Sequence, residues 1–166
     1  MTGAGTERAA LQQRLDFLRR IVGKEAEHLT GTTERLFRDT EDLTPDAVRQ
    51  WIDDPVLSER LDAFVSRFSR LQDTLGDKLV PALLDWTGEP RGPAIDNLDK
   101  AEKFGWISSA DEWLSYRQLR NQMVHEYIED LQVLAEALDR GRAFVPELLG
   151  VARALTDEVD RRLHNK

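Results

Sequence analysis

The chain has 166 residues, a formal net charge of −8 and no cysteine, so it fits one domain over residues 1–166 and excludes disulfides, thiol catalysis and cysteine metal sites. Its acidity argues against a nonspecific nucleic-acid coat, which would be basic, but leaves room for a small local RNA site. No window approaches the roughly 18 apolar residues of a membrane span, and the N-terminus lacks a secretory pattern; we therefore expect a cytoplasmic protein with no membrane partner.

Apolar residues recur at helical spacing over nearly the whole chain, and the alternation typical of β-strands is absent. After residues 1–6, which we expect to be disordered, the first helix runs from residue 7 to about residue 28 and continues beyond a break at Gly31. Thr44 and Asp54, each followed by a proline, predict the N-termini of two further helices, because their side chains accept hydrogen bonds from unpaired backbone N–H groups.

The remaining half of the chain is also predicted to be helical. Pro81 is expected to kink the long helix that precedes it. The pair Ser109 and Glu112 forms a capping box that opens another helix, and a last helical stretch follows residue 130, with a joint near Gly141 or Pro146. The sequence thus predicts an all-α, up-and-down bundle of about five main helices, with an extra N-terminal helix.

The predicted helix at residues 113–127 carries an arginine on its apolar face. With about 100° per residue, one stripe along this helix is apolar or aromatic, and Arg120 lies near its centre. The stripe consists of Trp113, Tyr116, Met123, Val124 and Tyr127. Because a buried guanidinium is costly unless it is paired, Arg120 either pairs with an acid of another helix, faces a solvent-filled cleft, or lies at a subunit contact that awaits an anionic ligand.

His125 is the second candidate in this helix, because imidazole titrates near neutrality and can transfer protons. On an ideal helix the side chains of Arg120 and His125 point about 140° apart, and His125 instead shares a face with Asn121. The two groups therefore reach one phosphate only if the helix ends or bends there, or if two copies of the helix meet. We favour a homodimer, since a symmetric contact gathers both pairs in one cleft.

The same residues match a known motif. Arg120, His125 and Tyr127 fit the pattern R-x4-H-x-Y, Asn121 is the polar residue favoured after the arginine, and the lead-in "AEKFGWISSADEWLSYRQLRN" is similar as well. The chain therefore resembles the HEPN superfamily, in particular HepT-like toxins, over roughly residues 79–138. This resemblance implies a helical bundle that acts as a homodimeric, metal-independent endoribonuclease without a cofactor. It also implies a nucleotidyltransferase antitoxin of the MNT type, which adds AMP to Tyr127.

The residue types suit RNA cleavage by attack of the 2′-hydroxyl on the neighbouring phosphate. His125 would transfer protons, Arg120 would hold the phosphate, and Asn121 would donate a hydrogen bond or clamp the histidine. Arg117, one turn before Arg120, is the best additional phosphate contact. Tyr127 would line the cleft, where an adenylate adds bulk and negative charge. A bound RNA favours a basic rim, whereas this chain is acidic overall.

Two other interpretations stay open. The chain could be a noncatalytic HEPN module that binds a nucleotidyltransferase or accepts AMP from it, with the same arginine and histidine holding a nucleotide or the dimer. It could also be a helical scaffold in which Arg120 forms a structural ion pair within its own chain. A metal site is not expected, because Glu25 and His28 have the spacing of a di-iron pair but the second such pair is missing.

Overall fold

The structure is a computed structural model that describes residues 2–125 and 129–164. Every regular element in these two ranges is helical, so the predicted all-α class is confirmed. In chain order the elements are α1 Thr2–Phe37, α2 Pro45–Asp53, α3 Pro55–Asp73, a π-helix Thr74–Leu79, α4 Val80–Thr87, α5 Ala94–Lys103, α6 Ala110–His125 and α7 Leu131–His164. Together they form a helical bundle in which α1 packs against α3 and α7, and α6 packs against α7.

The first helix is longer and more regular than the sequence predicts. It is continuous over 36 residues, so the expected break at Gly31 is wrong, and it begins at Thr2, inside the segment expected to be disordered. A glycine within a helix costs about 1 kcal/mol relative to alanine. The buried side of α1 outweighs this cost, because packing contributes more to helix stability than propensity does. That side consists of Leu15, Leu18, Val22, Leu29 and Leu36.

The last helix is also uninterrupted. It spans 34 residues, so the predicted joint near Gly141 or Pro146 is wrong. Gly141 instead allows a close approach between helices: a Cβ at this position would meet the Met123 sulfur of α6 at 3.3 Å. Pro146 lacks the N–H that would bond the carbonyl four residues earlier, yet buried side chains on both sides of it hold α7 in place.

The two predicted helix starts are confirmed. The Thr44 hydroxyl accepts a hydrogen bond from the N–H of Ala47 at 3.2 Å. The Asp54 carboxylate accepts two such bonds, at 2.9 Å each, from the second and third residues after it. At the start of α6, the Ser109 hydroxyl accepts from the N–H of Glu112 at 3.1 Å. This contact is the first half of the predicted capping box, and it fixes the beginning of the helix that carries the candidate site.

The region before Pro81, predicted to be a kink, contains the π-helix, in which each N–H bonds a carbonyl five residues back. Gly76 lies in this wider turn. A Cβ there would meet the indole nitrogen of Trp113 at 2.9 Å, closer than real side chains allow. Glycine is therefore required at this position, and its absence of a side chain lets α6 pack closely on the π-helix.

An aromatic row also fixes the position of α6. Ring centroids of successive members from Phe37 to Phe144 lie 5.1 to 5.9 Å apart, and Tyr116 of α6 stacks on the last ring. The Tyr116 hydroxyl also donates a hydrogen bond to the Glu147 carboxylate of α7 at 3.1 Å. The row consists of Phe37, Phe64, Phe68, Phe144 and Tyr116. Position and rotation of α6 are thus set by packing on two sides.

Candidate active site

The buried face of α6 differs from the predicted apolar stripe. Trp113, Leu119 and Met123 are buried, whereas Val124 is 48% exposed, which rotates the buried face by roughly 40° toward Leu119. Arg120 therefore lies at the edge of the buried face rather than at its centre, with 29% of its side chain exposed. Leu119 was not part of the predicted stripe, although its spacing places it on this face: it follows Tyr116 by three residues and precedes Met123 by four.

The Arg120 guanidinium pairs with Asp73, the last residue of α3. Its Nη2 donates to the carboxylate at 2.9 Å, and its Nη1 reaches the side-chain oxygen of Asn121 at 3.4 Å. The Nε is buried and has no acceptor among the described residues. Of the three arrangements that the sequence allows, the acid of another helix is therefore present. Arg120 is not a free cation, and this pairing is the one that the scaffold interpretation predicts.

Arg117, the predicted additional phosphate contact, is paired in the same way. Its Nη2 lies 2.6 Å from the Asp77 carboxylate on the π-helix. The two acids are one turn apart, the two arginines are one turn apart, and the facing segments run in opposite directions, so the pairs form two parallel rungs. These acids were not part of the site predicted from the sequence. Their four-residue spacing is visible in the sequence, but the fact that they face the two arginines is not.

Burial dominates the electrostatics of Asp73. It raises the pKa of this carboxyl group above its usual range, because a partly buried carboxylate loses hydration. The attraction of Arg120 opposes this shift, and the nearby negative charge of Asp77 adds to it. The salt bridge therefore does not fully offset the cost of holding Asp73 ionised.

A groove of about 940 Å³ runs between α3, the π-helix and α6, and Arg120 lies on its wall. The second predicted arrangement, a cleft, is thus present together with the first. Its charged lining residues are three cations and three acids, so the groove lacks the basic excess that RNA binding favours. The cations are Arg70, Lys78 and Arg120, the acids are Asp62, Asp73 and Asp77, and the apolar lining comes from Val65, Met123 and Val124.

Two further predicted site residues, Asn121 and His125, lie at the C-terminal end of α6. His125 is the last residue of this helix, and both His125 and Asn121 are exposed. Since the helix is continuous from Arg120 to His125, their side chains leave it about 140° apart. A bend between them is excluded, so one copy does not direct both groups at one phosphate. Tyr127, the predicted AMP acceptor, lies outside the described residues.

A cluster of buried polar side chains adjoins the groove, and it too was not predicted from the sequence. The Thr74 hydroxyl, at the start of the π-helix, donates to the Glu25 carboxylate at 3.1 Å. The other Glu25 oxygen and both polar atoms of the Gln72 amide are buried without a partner among the described residues. Burial raises the pKa of Glu25, and the bond from Thr74 only partly opposes it. Unpaired buried polar atoms destabilise a fold, so these three atoms lower the stability of this part of the bundle.

In comparisons with known proteins, no family model, no curated protein and no solved structure matches the chain. Among the described residues, no helix has the length and apolarity to cross a membrane. In the same part of the chain, no group of three or more acidic or histidine side chains is suited to a metal ion.

Proposed function

We propose that the chain is a HEPN-type toxin: a metal-independent endoribonuclease whose site combines Arg120 and His125 from α6 of two copies. The observation that carries this proposal is the position of Arg120 on the wall of a groove, at R-x4-H spacing from an exposed histidine on the same helix. A guanidinium is a strong phosphate ligand because it donates parallel hydrogen bonds. An exposed imidazole is accessible to a substrate and can exchange protons with it.

The proposed reaction is a transesterification. A histidine takes the proton of the RNA 2′-hydroxyl, the resulting oxygen attacks the adjacent phosphorus, and the 5′-oxygen of the next nucleotide leaves with a proton from a second acid. The products are a 2′,3′-cyclic phosphate and a 5′-hydroxyl. Arg120 holds the phosphate and stabilises the negative charge that builds up on its oxygens. Asn121 donates to the phosphate or orients the imidazole.

A homodimer is part of this proposal. Two copies of α6 that meet near their C-terminal ends supply two histidines, one to accept a proton and one to donate it. Val124 supports such a contact, since this valine is 48% exposed and lines the groove between Arg120 and the end of the helix. Light scattering of the purified chain tests this point, with twice the monomer mass as the expected result.

The proposed partner is a nucleotidyltransferase antitoxin of the MNT type. It would transfer AMP to Tyr127, two residues after His125, and the adenylate would add bulk and negative charge next to the RNA site. Mass spectrometry of the chain after incubation with such an enzyme and ATP tests this step. A mass gain of one AMP that disappears in Tyr127→Phe is the expected result.

The ribonuclease proposal is tested by incubating the purified chain with single-stranded RNA in the presence of a chelator. Cleavage is expected for the wild type and is expected to fall by at least about 100-fold in His125→Ala. The matched control is Gln122→Ala, an exposed residue of the same helix, which should keep its activity. Circular dichroism checks that each variant is folded. Intact RNA after incubation with wild-type chain free of AMP argues against the enzyme.

One observation favours a noncatalytic chain instead. Both candidate phosphate-binding arginines are paired with carboxylates of their own chain, which is the contact that the helical scaffold predicts. A scaffold leaves RNA intact, and so does a noncatalytic module, which in addition forms a complex with the nucleotidyltransferase. Gel filtration of the two proteins together, next to the cleavage assay, separates the two functions.

A further inference from the structure

Two of the three acids of the groove, Asp73 and Asp77, lie where an anionic ligand of the arginines would lie. We propose that Asp73 and Asp77 act as internal substitutes for RNA phosphate, so that the substrate binds Arg120 only after displacing Asp73. This inference rests on the proposed function for the identity of the ligand, a phosphodiester. It adds two residues that lower the affinity of the site, and it accounts for a groove with no excess of positive charge.

Competition follows from the atoms involved. Asp73 uses the Nη2 of Arg120 at 2.9 Å, one of the terminal nitrogens that a phosphate needs for two parallel hydrogen bonds. A phosphate oxygen at the same nitrogen would also lie close to a carboxylate, and like charges at that distance repel strongly at a partly buried site. Arg120 therefore binds either the carboxylate or the phosphate well, but not both.

Asp73 is held weakly enough to be displaced. Its described contact with Arg120 is a single hydrogen bond, and both side chains are about one third exposed, at 34% and 29%. The other terminal nitrogen of Arg120 has only the long 3.4 Å contact to Asn121, so the guanidinium retains donor capacity. Burial also raises the pKa of Asp73, so this carboxyl group can take up a proton more readily once a phosphate replaces it at Arg120.

Asp77 has the same relation to Arg117, with a shorter contact of 2.6 Å. Asp77 lines the groove, but Arg117 does not. Breaking the Asp77–Arg117 pair should therefore raise the affinity for the substrate less than breaking the Asp73–Arg120 pair. Asp62 provides the contrast. It lines the same groove, yet no salt bridge to it occurs in the described part of the chain. Replacing any one of the three acids by asparagine removes one negative charge from the same groove, so the three variants are matched in charge.

The test compares Asp73→Asn, Asp77→Asn and Asp62→Asn in a titration with single-stranded 2′-O-methyl RNA, which cannot be cleaved through its 2′-oxygen. Fluorescence anisotropy at fixed ionic strength measures the dissociation constant, because phosphate contacts depend on salt. We expect about tenfold tighter binding for Asp73→Asn, a smaller gain for Asp77→Asn, and a change within about twofold for Asp62→Asn. Arg120→Met in the Asp73→Asn background should abolish the gain.

Two results would overturn the inference. Equal gains in all three variants would mean that only net charge matters, and weaker binding by Asp73→Asn would mean that Asp73 orients Arg120 for its ligand. Urea unfolding checks each variant, and if Asp73→Asn does not fold, the comparison of Asp77→Asn with Asp62→Asn decides the question by itself. A gain in RNA binding without cleavage by the wild type leaves the inference standing and rejects the ribonuclease. Cleavage without a gain does the reverse.

Discussion

Two arginine–aspartate pairs on different sides of the bundle show how different such contacts can be. Arg19 of α1 and Asp160 of α7 form a bidentate pair, in which Nε donates to one carboxylate oxygen and Nη2 to the other at 2.8 Å. Arg120 and Asp73 are joined by one hydrogen bond on the wall of the groove. The first pair joins the two longest helices, whereas both residues of the second pair line the groove.

The pKa shifts of the two acids have opposite signs. The hydrogen bond from Arg19 lowers the pKa of Asp160, so the fold favours its ionised form. Burial raises the pKa of Asp73 despite its arginine, so the fold disfavours that charge. A salt bridge within one chain is therefore not by itself evidence of a structural role. The Arg19 pair has the properties of a stabilising contact, whereas the Arg120 pair has those of a contact that a ligand can replace.

The largest expected difference between the two pairs is in catalysis. Arg120→Met should lower the rate of RNA cleavage by about 100-fold or more, since it removes the group that we propose to stabilise charge on the phosphate. Arg19→Met should remain within about threefold of the wild type, because neither Arg19 nor Asp160 lines the groove. Single-turnover cleavage rates in chelator measure both. Equal losses in the two variants would remove the distinction on which the comparison rests.

Two glycine-to-alanine substitutions test the helix packing near the two arginine–aspartate pairs. Gly76→Ala places a Cβ 2.9 Å from the rigid Trp113 ring, so we expect a destabilisation of about 1–3 kcal/mol. Gly23 on α1 lines the cavity between α1 and α7 and has open space at its Cβ position. Gly23→Ala should therefore stabilise the fold by about 0.5–1 kcal/mol. Urea unfolding measures both, and a neutral Gly76→Ala would show that α6 does not depend on close contact with the π-helix.

Removing the acids should affect stability in opposite directions. Asp160→Asn at pH 7 should cost less than about 1 kcal/mol, as expected for a partly exposed pair. Asp73→Asn should be neutral or slightly stabilising, because it removes a charge that burial disfavours. Chemical unfolding midpoints give the comparison. A clear loss of stability in Asp73→Asn would identify the Arg120 pair as a structural contact like that of Arg19.

The smallest expected effect is in the pH dependence. The folded pKa of Asp160 is lowered, so its stabilising contribution is present at neutral pH and is lost only as the pH falls through that low value. The folded pKa of Asp73 is raised. The fold is therefore more stable while this carboxyl group is protonated at low pH, and it loses that stability as the pH rises through the folded pKa. On acidification from pH 7, the benefit of Asp73→Asn should therefore shrink first, and the deficit of Asp160→Asn should shrink later. The reverse order in a urea series would contradict these shifts.

Local signals in the sequence predicted much of the fold. The caps at Thr44 and Asp54 and the helical spacing of leucines depend on nearby residues, and the structure confirms them. The breaks expected at Gly31, Gly141 and Pro146 are wrong because long-range packing keeps α1 and α7 continuous. A glycine at residue 141 or 76 is explained by the neighbouring helix, which a single sequence does not reveal.

The candidate site was predictable in part for the same reason. Arg120, Asn121 and His125 are neighbours on one helix, and their relative directions follow from its geometry. Their environment depends on α3 and the π-helix, which contribute Asp73 and Asp77 from more than 40 residues earlier in the chain. The homodimer, the RNA substrate and the role of Tyr127 stay predictions.

The chemistry of the RNA products tests the central claim most directly. Mass spectrometry of a short RNA treated with the AMP-free wild-type chain in chelator identifies the ends of each fragment. Attack by the 2′-hydroxyl on a phosphate held by Arg120, with His125 transferring the proton, predicts a 2′,3′-cyclic phosphate on one fragment and a 5′-hydroxyl on the other. Fragments that carry a 5′-phosphate, or RNA that stays intact, would contradict it.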